Sequence, residues 1–174
     1  ILCILSCKAV GGREKDALFA SAGIEILHNF SLIIDDIIDH SILRRNKETL
    51  WAKYGKSIAQ CLAMSYSAAV FQSASLTKKP KEISLLFAEA IKKIVEGEIL
   101  DILFEQKGRE DERYIIENRF SEVSLKDYLE MVSKKTAFLF KITCKVGAIL
   151  GEGLEKEIKA LEEFGFNLGI AFQI

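Results

Sequence analysis

The chain has 174 residues, 49% of them hydrophobic, with 24 Lys+Arg against 25 Asp+Glu and a formal charge of −1. That length is one modest domain's worth, and the near-neutral charge excludes the basic excess of a nucleic-acid binder, an acidic disordered tail and a polybasic membrane anchor. The single proline, Pro80, is too little punctuation for a chain of strands and turns, so the composition favours an all-α fold.

The first segment opens Ile1-Leu2-Cys3-Ile4-Leu5 and breaks at Gly11-Gly12. It lacks the basic start and the long apolar run of a signal peptide, and reads as an element entered midway. Apolar residues at Leu18, Ala22, Ile26, Leu27, Phe30, Ile33, Ile34, Ile37 and Ile38 mix three- and four-residue spacings. They predict a helix over residues 14–40, roughly 40 Å long at 1.5 Å per residue. Glu25, His28, Asp35 and Asp36 inside it argue against a membrane span. Residues 41–50 are polar and basic and read as a loop, closed by Trp51 to Gly55. A helix is expected over 57–76, then a turn through Thr77-Lys78-Lys79-Pro80, with Pro80 suited to the first turn of a helix over 81–106. The charged stretch that follows reads as solvated, with a short helix over 111–118. Ser124 and Asp127 have capping-box spacing and open a helix reaching residue 150. After Gly151-Glu152-Gly153, a last helix runs over 155–174, with Gly165 as a candidate break. Five or six long, mostly antiparallel helices with short turns make an all-α bundle around a central cavity, taken as one domain over 1–174.

Cys3, Cys7, Cys61 and Cys144 form no Cys-x-x-Cys, and His28 and His40 do not complete a zinc set. Nothing demands disulfides, so a reducing, cytoplasmic compartment is expected, with the cysteines as small core residues.

The sharpest feature is Asp35-Asp36-Ile37-Ile38-Asp39 within an apolar helix. At 100° per residue Asp35 and Asp39 lie about 40° apart and Asp36 about 100° from Asp35, so three carboxylates project from one side within about one turn. Like charges so close need compensating cations, and hard oxygen ligands at this density suit Mg²⁺, which takes a few carboxylates plus substrate phosphates. Arg44 and Arg45 follow, and guanidinium forks match phosphate oxygens. His28 lies two turns before Asp35 on nearly the same face, within reach of a second anionic ligand. Composition alone leaves open a plain solvated helix end.

The run from Glu25 through Asp39, followed by Arg44-Arg45, resembles the first aspartate-rich region of the trans-isoprenyl diphosphate synthases. Further matches fall in family order. Thr49 and Tyr54-Gly55 resemble the segment after the double arginine, and Gly97-Glu98-Ile99-Leu100-Asp101 a Gly-Gln-x-x-Asp motif. Lys135-Thr136 resembles a Lys-Thr pair, and Phe164 through Ile174 the run into a second aspartate motif.

The resemblance implies a bundle that joins an allylic diphosphate to isopentenyl diphosphate and releases pyrophosphate. Asp35, Asp36 and Asp39 would hold Mg²⁺ on the allylic diphosphate, and Arg44 would stabilise the departing group. Lys135, Thr136 and Gln173 match positions near the allylic diphosphate and the developing cation. His28 and Arg45 match positions for isopentenyl diphosphate, and Asp101 would orient a neighbour. Phe30 and Ser31, just before the first motif, match positions that limit product length and resemble the archaeal-type geranylgeranyl (C20) pattern, with farnesyl (C15) next. A helical wheel sets Ser31, not Phe30, beneath Asp35. Homodimers are expected, as in the family.

The sequence also departs from the pattern. Asn46 stands for a glycine, Ala63-Met64 for Gly-Asp, Glu98 for a glutamine and Ile34 for a frequent histidine. The second aspartate motif would start at residue 175 and a basic stretch would precede Ile1, so the chain matches the middle of a bundle of about 300 residues. As written it is expected to have little or no synthase activity. A non-catalytic subunit of a heteromeric synthase is the alternative. A terpene cyclase is disfavoured by the double arginine and the Lys-Thr pair. A di-iron bundle is disfavoured by Ile37, which breaks the second Glu-x-x-His.

Overall fold

The long α2 (Glu14–Ile38) organises the computed structural model, which describes residues 1–174. Its buried stripe of Ala17, Ala20, Gly23, Leu27, Ile33 and Ile37 packs on helices from both halves of the chain. Before it, α1 (Leu2–Ala9) ends at the Gly11-Gly12 turn. α2 stops at Ile38, short of the expected residue 40, because Asp39 is its C-cap and His40 turns left-handed at φ 53°.

Residues 41–50 are more ordered than the expected loop. β1 (Leu43–Arg44) and β2 (Lys47–Glu48) pair antiparallel, joined by Arg45-Asn46 at φ 52° and 61°. A two-residue hairpin turn of type I′ has positive φ at both central positions, and asparagine tolerates it better than most side chains, so Asn46 is a workable substitute for glycine. Thr49 Oγ1 and Trp51 Nε1 both donate to the Ser41 carbonyl, at 2.8 and 2.9 Å, and pin the base of the hairpin. Thr49 also caps α3 (Leu50–Tyr54) by accepting from Ala52 N–H, so the expected loop closure at Trp51 is a short helix.

α4 (Lys56–Ser75) and α5 (Pro80–Phe104) follow, with Pro80 in the first turn of α5. α5 ends at Phe104 rather than Gln106, and the short α6 (Arg113–Asn118) comes next. α7 (Leu125–Val132) opens with the predicted capping box: Ser124 Oγ accepts from Asp127 N–H and the Asp127 carboxylate accepts from Ser124 N–H. The expected unbroken helix to residue 150 is interrupted. Residues Ser133–Ala137 are π-helical, and α8 (Phe138–Leu150) resumes the α geometry. α9 (Glu155–Gln173) has no break at Gly165, which is buried against the Phe140 carbonyl and Cys144.

α8 lies between α1 and α9, and α2 packs on α1, α4, α5 and α8. The main core joins Cys3, Cys7, Leu27, Val70, Ile83, Phe87, Ile142 and Val146, drawn from five helices. Complete burial of side chains such as Leu27, Ile83 and Phe87 contributes about 1.5–3 kcal/mol each. A second cluster, Ile33, Ile37, Ala59 and Ala63, holds α2 to α4 beneath the hairpin. By length and composition α2 could cross a membrane, but here its apolar stripe is used against neighbouring helices. All four cysteines are free, and Cys3, Cys7 and Cys144 are buried.

Candidate active site

The C-terminal end of a helix carries partial negative charge, so acids there are unfavourable. α2 nevertheless ends with Asp35, Asp36 and the cap Asp39, and no basic residue lies in its last turn. Compensation comes from other elements. The hairpin swings Arg44 back so that Nη2 donates to Asp35 at 2.6 Å and Nε to Asp36 at 2.8 Å. Burial pulls the Arg44 guanidinium down, but its hydrogen bond to Asp36 and both acid charges outweigh that and raise it. Asp36 is buried and shares Arg44 with Asp35. No three His, Cys, Asp or Glu side chains converge closely enough to hold a metal ion by themselves.

Lys135 supplies the second compensation. Its Nζ lies 3.2 Å from Asp35 and 2.9 Å from Glu98, and donates to Asp101 as well. Burial acts to lower the ammonium, but the hydrogen bonds to Asp101 and Glu98 hold it well above the usual lysine range. Glu98 is pushed up by burial, only partly offset by Lys135. Asp39 is also pushed up, by burial first and then by the charge of Asp35. This end of α2 thus holds more negative charge than its cations neutralise.

The π-helical segment explains how Lys135 gets there. A Cβ on Gly97 would sit 2.3 Å from Lys135 N, and one on Gly169 2.5 Å from Ala137 Cα. Only glycine at these positions lets α5 and α9 close on the segment from two sides. π-helical turns are rare and concentrate at functional sites. Next to Lys135, Thr136 Oγ1 donates to Gln173 Oε1 at 3.0 Å, joining the segment to the end of α9.

Below this charged rim lies an apolar cavity of about 180 Å³. Asp35, Glu98, Lys135 and Thr136 edge it, while Leu27, Ile94, Leu139 and Phe140 form its walls. Phe30 and Ser31 both line it; Ser31 Oγ is bonded to the His28 carbonyl, and Phe30 also packs on the Ile33–Ala63 cluster. Phe30 therefore stands at the seam between cavity and core, which the helical wheel did not indicate. His28 lines the same cavity. Its imidazole is lowered by burial, opposed by Glu25 and reinforced by the charges of Arg45 and Arg44. Arg45 itself is exposed at the hairpin tip, and Asp39 opens instead onto a polar cleft with His40, Lys56 and Arg109.

Two contributors are missed by motif reading. Glu98 stands out in sequence only as a departure from a pattern, yet it is a direct partner of Lys135. Arg109, in the stretch read as solvated, is largely covered, with its side chain 11% exposed. No periodicity or spacing marks either role.

The chain is similar to known proteins over its whole length. The family model described as polyprenyl synthetase matches residues 1–174. A short chain isoprenyl diphosphate synthase of Methanothermobacter thermautotrophicus is 36% identical over 99% of this chain and 50% of its own length. A geranylgeranyl diphosphate synthase of Sulfolobus acidocaldarius is 32% identical over the whole chain and 51% of its own length. The crystal structure of geranylgeranyl pyrophosphate synthetase from Pyrococcus horikoshii superposes with a TM-score of 0.88 at 33% identity, covering 99% of this chain and 50% of that one. A Caulobacter crescentus polyprenyl synthase complexed with calcium and isoprenyl diphosphate gives 0.87 at 26% identity, covering 99% and 48%. The chain spans about half the length of the relatives it matches.

Proposed function

The chain belongs to the polyprenyl synthetase family, and on that premise we propose that the protein carrying it is a short-chain prenyltransferase. It joins an allylic diphosphate to isopentenyl diphosphate and makes a C20 product, with C15 as the next choice. The observation that carries this reading is a ring of Asp35, Arg44 and Lys135 set over an apolar cavity. A substrate with an anionic head and a hydrocarbon tail needs that combination.

In this reading the tail lies between α2 and α5, among Leu27, Phe30, Ile94 and Leu139, where water is excluded. The diphosphate meets Arg44, Lys135, Thr136 and Gln173 at the rim. When the carbon–oxygen bond ionises, negative charge grows on the departing pyrophosphate, and fixed cations at that spot lower the barrier. His28 and Arg45 take isopentenyl diphosphate. Phe30 and Ser31 limit the length of the tail.

Asp35, Asp36 and Asp39 are the proposed Mg²⁺ residues. Asp35 and Asp39 fit best, since Mg²⁺ commonly takes one or two carboxylates and completes its shell with phosphate oxygens and water. The upward push on Asp39 marks charge that a cation would relieve. Bound there, the ion supplies neutralisation of the diphosphate. The Caulobacter relative's complex with calcium and isoprenyl diphosphate supports a metal-plus-diphosphate site. We take residues 1–174 as part of one helical domain, and a homodimer as the assembly. The second reading, a non-catalytic subunit, is favoured by Glu98, whose ion pair occupies a lysine that the diphosphate requires.

The test uses the full-length protein carrying this chain, with farnesyl diphosphate, radiolabelled isopentenyl diphosphate and Mg²⁺. A C20 diphosphate that disappears with EDTA is the expected product. Absence of any condensed product would favour the non-catalytic subunit. Residues 1–174 expressed alone are expected to turn over little.

A further inference from the structure

We propose that Arg109 is a positioning residue that straps the segment after α5 onto the last turn of α2 and so fixes Asp35 and Asp39; this rests on the reading of those acids as the metal-and-diphosphate site. Arg109 Nε and Nη2 each donate to Glu105 at 2.8 Å, Nη1 donates to Glu112 at 3.2 Å, and Nη2 reaches the Ile38 carbonyl at 3.3 Å. Three of these contacts organise its own loop. The fourth is made across 71 residues of sequence to the last helical residue of α2.

That carbonyl is a telling target. The final carbonyls of a helix lack backbone donors, and a cation there is favourable. α2 carries no basic residue in its last turn, and Arg44 and Lys135 are taken up by carboxylates. Arg109 is therefore the cation that answers the backbone end of the acid-bearing turn. The loop bends sharply to deliver it: Gly108 and Arg109 are left-handed in succession, at φ 84° and 60°. Arg109 also spans Glu105 with two donors, a geometry an arginine fork supports and a lysine does not. Asp39 and His40 line the same cleft as Arg109 and Glu105, so the strap borders the acid that caps the helix.

The experiment compares Arg109→Ala, Arg109→Lys and Arg113→Ala in the full-length protein. Arg113 belongs to the same segment, with its side chain 88% exposed and paired only to Glu117. Residues that orient metal-binding carboxylates typically change metal affinity about 10- to 100-fold. Arg109→Ala is expected to raise the Mg²⁺ concentration for half-maximal activity about tenfold, with kcat largely restored at saturating Mg²⁺. Arg109→Lys should fall between it and the native protein, and Arg113→Ala should change nothing. Hydrogen exchange at the amides of Asp39 and Ser41, which bond to the Asp35 and Asp36 carbonyls, should quicken in Arg109→Ala. That measurement needs no turnover. If no synthase activity exists, faster exchange keeps the strap and removes the function. Unchanged exchange, or a Mg²⁺ requirement equal to that of Arg113→Ala, overturns the strap. Should Arg109→Ala fail to fold, Arg109→Lys is read by the same two criteria.

Discussion

The two ends of α2 carry the same chemical group under opposite fields. At the N-terminal end Asp16 sits where the helix favours an anion, and Arg13 and Lys78 lie 3.1 Å from it. Its carboxyl is held down at about 2, chiefly by the hydrogen bond from Arg13. At the C-terminal end Asp35, Asp36 and Asp39 oppose the helix field, and Asp39 is pushed up. The first arrangement stabilises the helix. The second costs stability and persists only because Arg44, Lys135 and Arg109 reach in from three other segments. Local rules obeyed at one end and broken at the other single out the broken end as the candidate site.

The largest expected effect tests that assignment. In the full-length protein Asp35→Asn should lower kcat of the proposed condensation about a hundred- to a thousandfold, the scale for removing one preorganised charge contact, with little change in melting temperature. Asp16→Asn should leave kcat alone. Equal loss of activity from both would dissolve the contrast.

Next comes stability. Arg44→Ala leaves Asp36 buried without its partner, which should cost about 2 kcal/mol once the partial exposure of Arg44 is allowed for. That corresponds to a fall in melting temperature of about 4–8 °C for a domain this size. Arg13→Ala, which removes a mostly exposed guanidinium and leaves Asp16 paired to Lys78, should give a smaller shift.

The smallest effect is a pair of opposite pH slopes, read from urea midpoints between pH 7 and pH 3. Asp16 is depressed, so its contribution is present above about pH 4 and fades as pH falls toward 2. Asp16→Asn should therefore destabilise at pH 7 and converge with the native protein at low pH. Asp39 is raised, so its charge costs stability at pH 7, and protonation relieves that cost as pH falls. Asp39→Asn should stabilise at pH 7, with the gain shrinking as pH is lowered. Slopes of the same sign would refute the contrast.

Much of this was legible in the sequence because it is periodic or local. The apolar spacing of α2, the Ser124–Asp127 cap and Pro80 at the head of α5 each depend on residues a few positions apart. So does the density of acids at residues 35–39. What stayed hidden depends on partners far away in the chain. Asp35 and Asp36 share one cation because Arg44 folds back through a tight hairpin. Phe30 reaches both cavity and core because α4 packs against that side. Glu98 and Arg109 take their meaning from Lys135 and from the end of α2, contacts that no window of sequence contains.

The π-helical segment has one more consequence. A wider turn takes in about one residue more than an α turn, so it behaves as a register insertion within an otherwise regular rod. Residues on either side can keep their packing on α5 and α9 while Lys135 and Thr136 are rotated toward the cavity rim. The side chains of this segment can thus be aimed independently of the scaffold, and deleting a single residue within 133–137 should leave a straighter helix that aims them elsewhere.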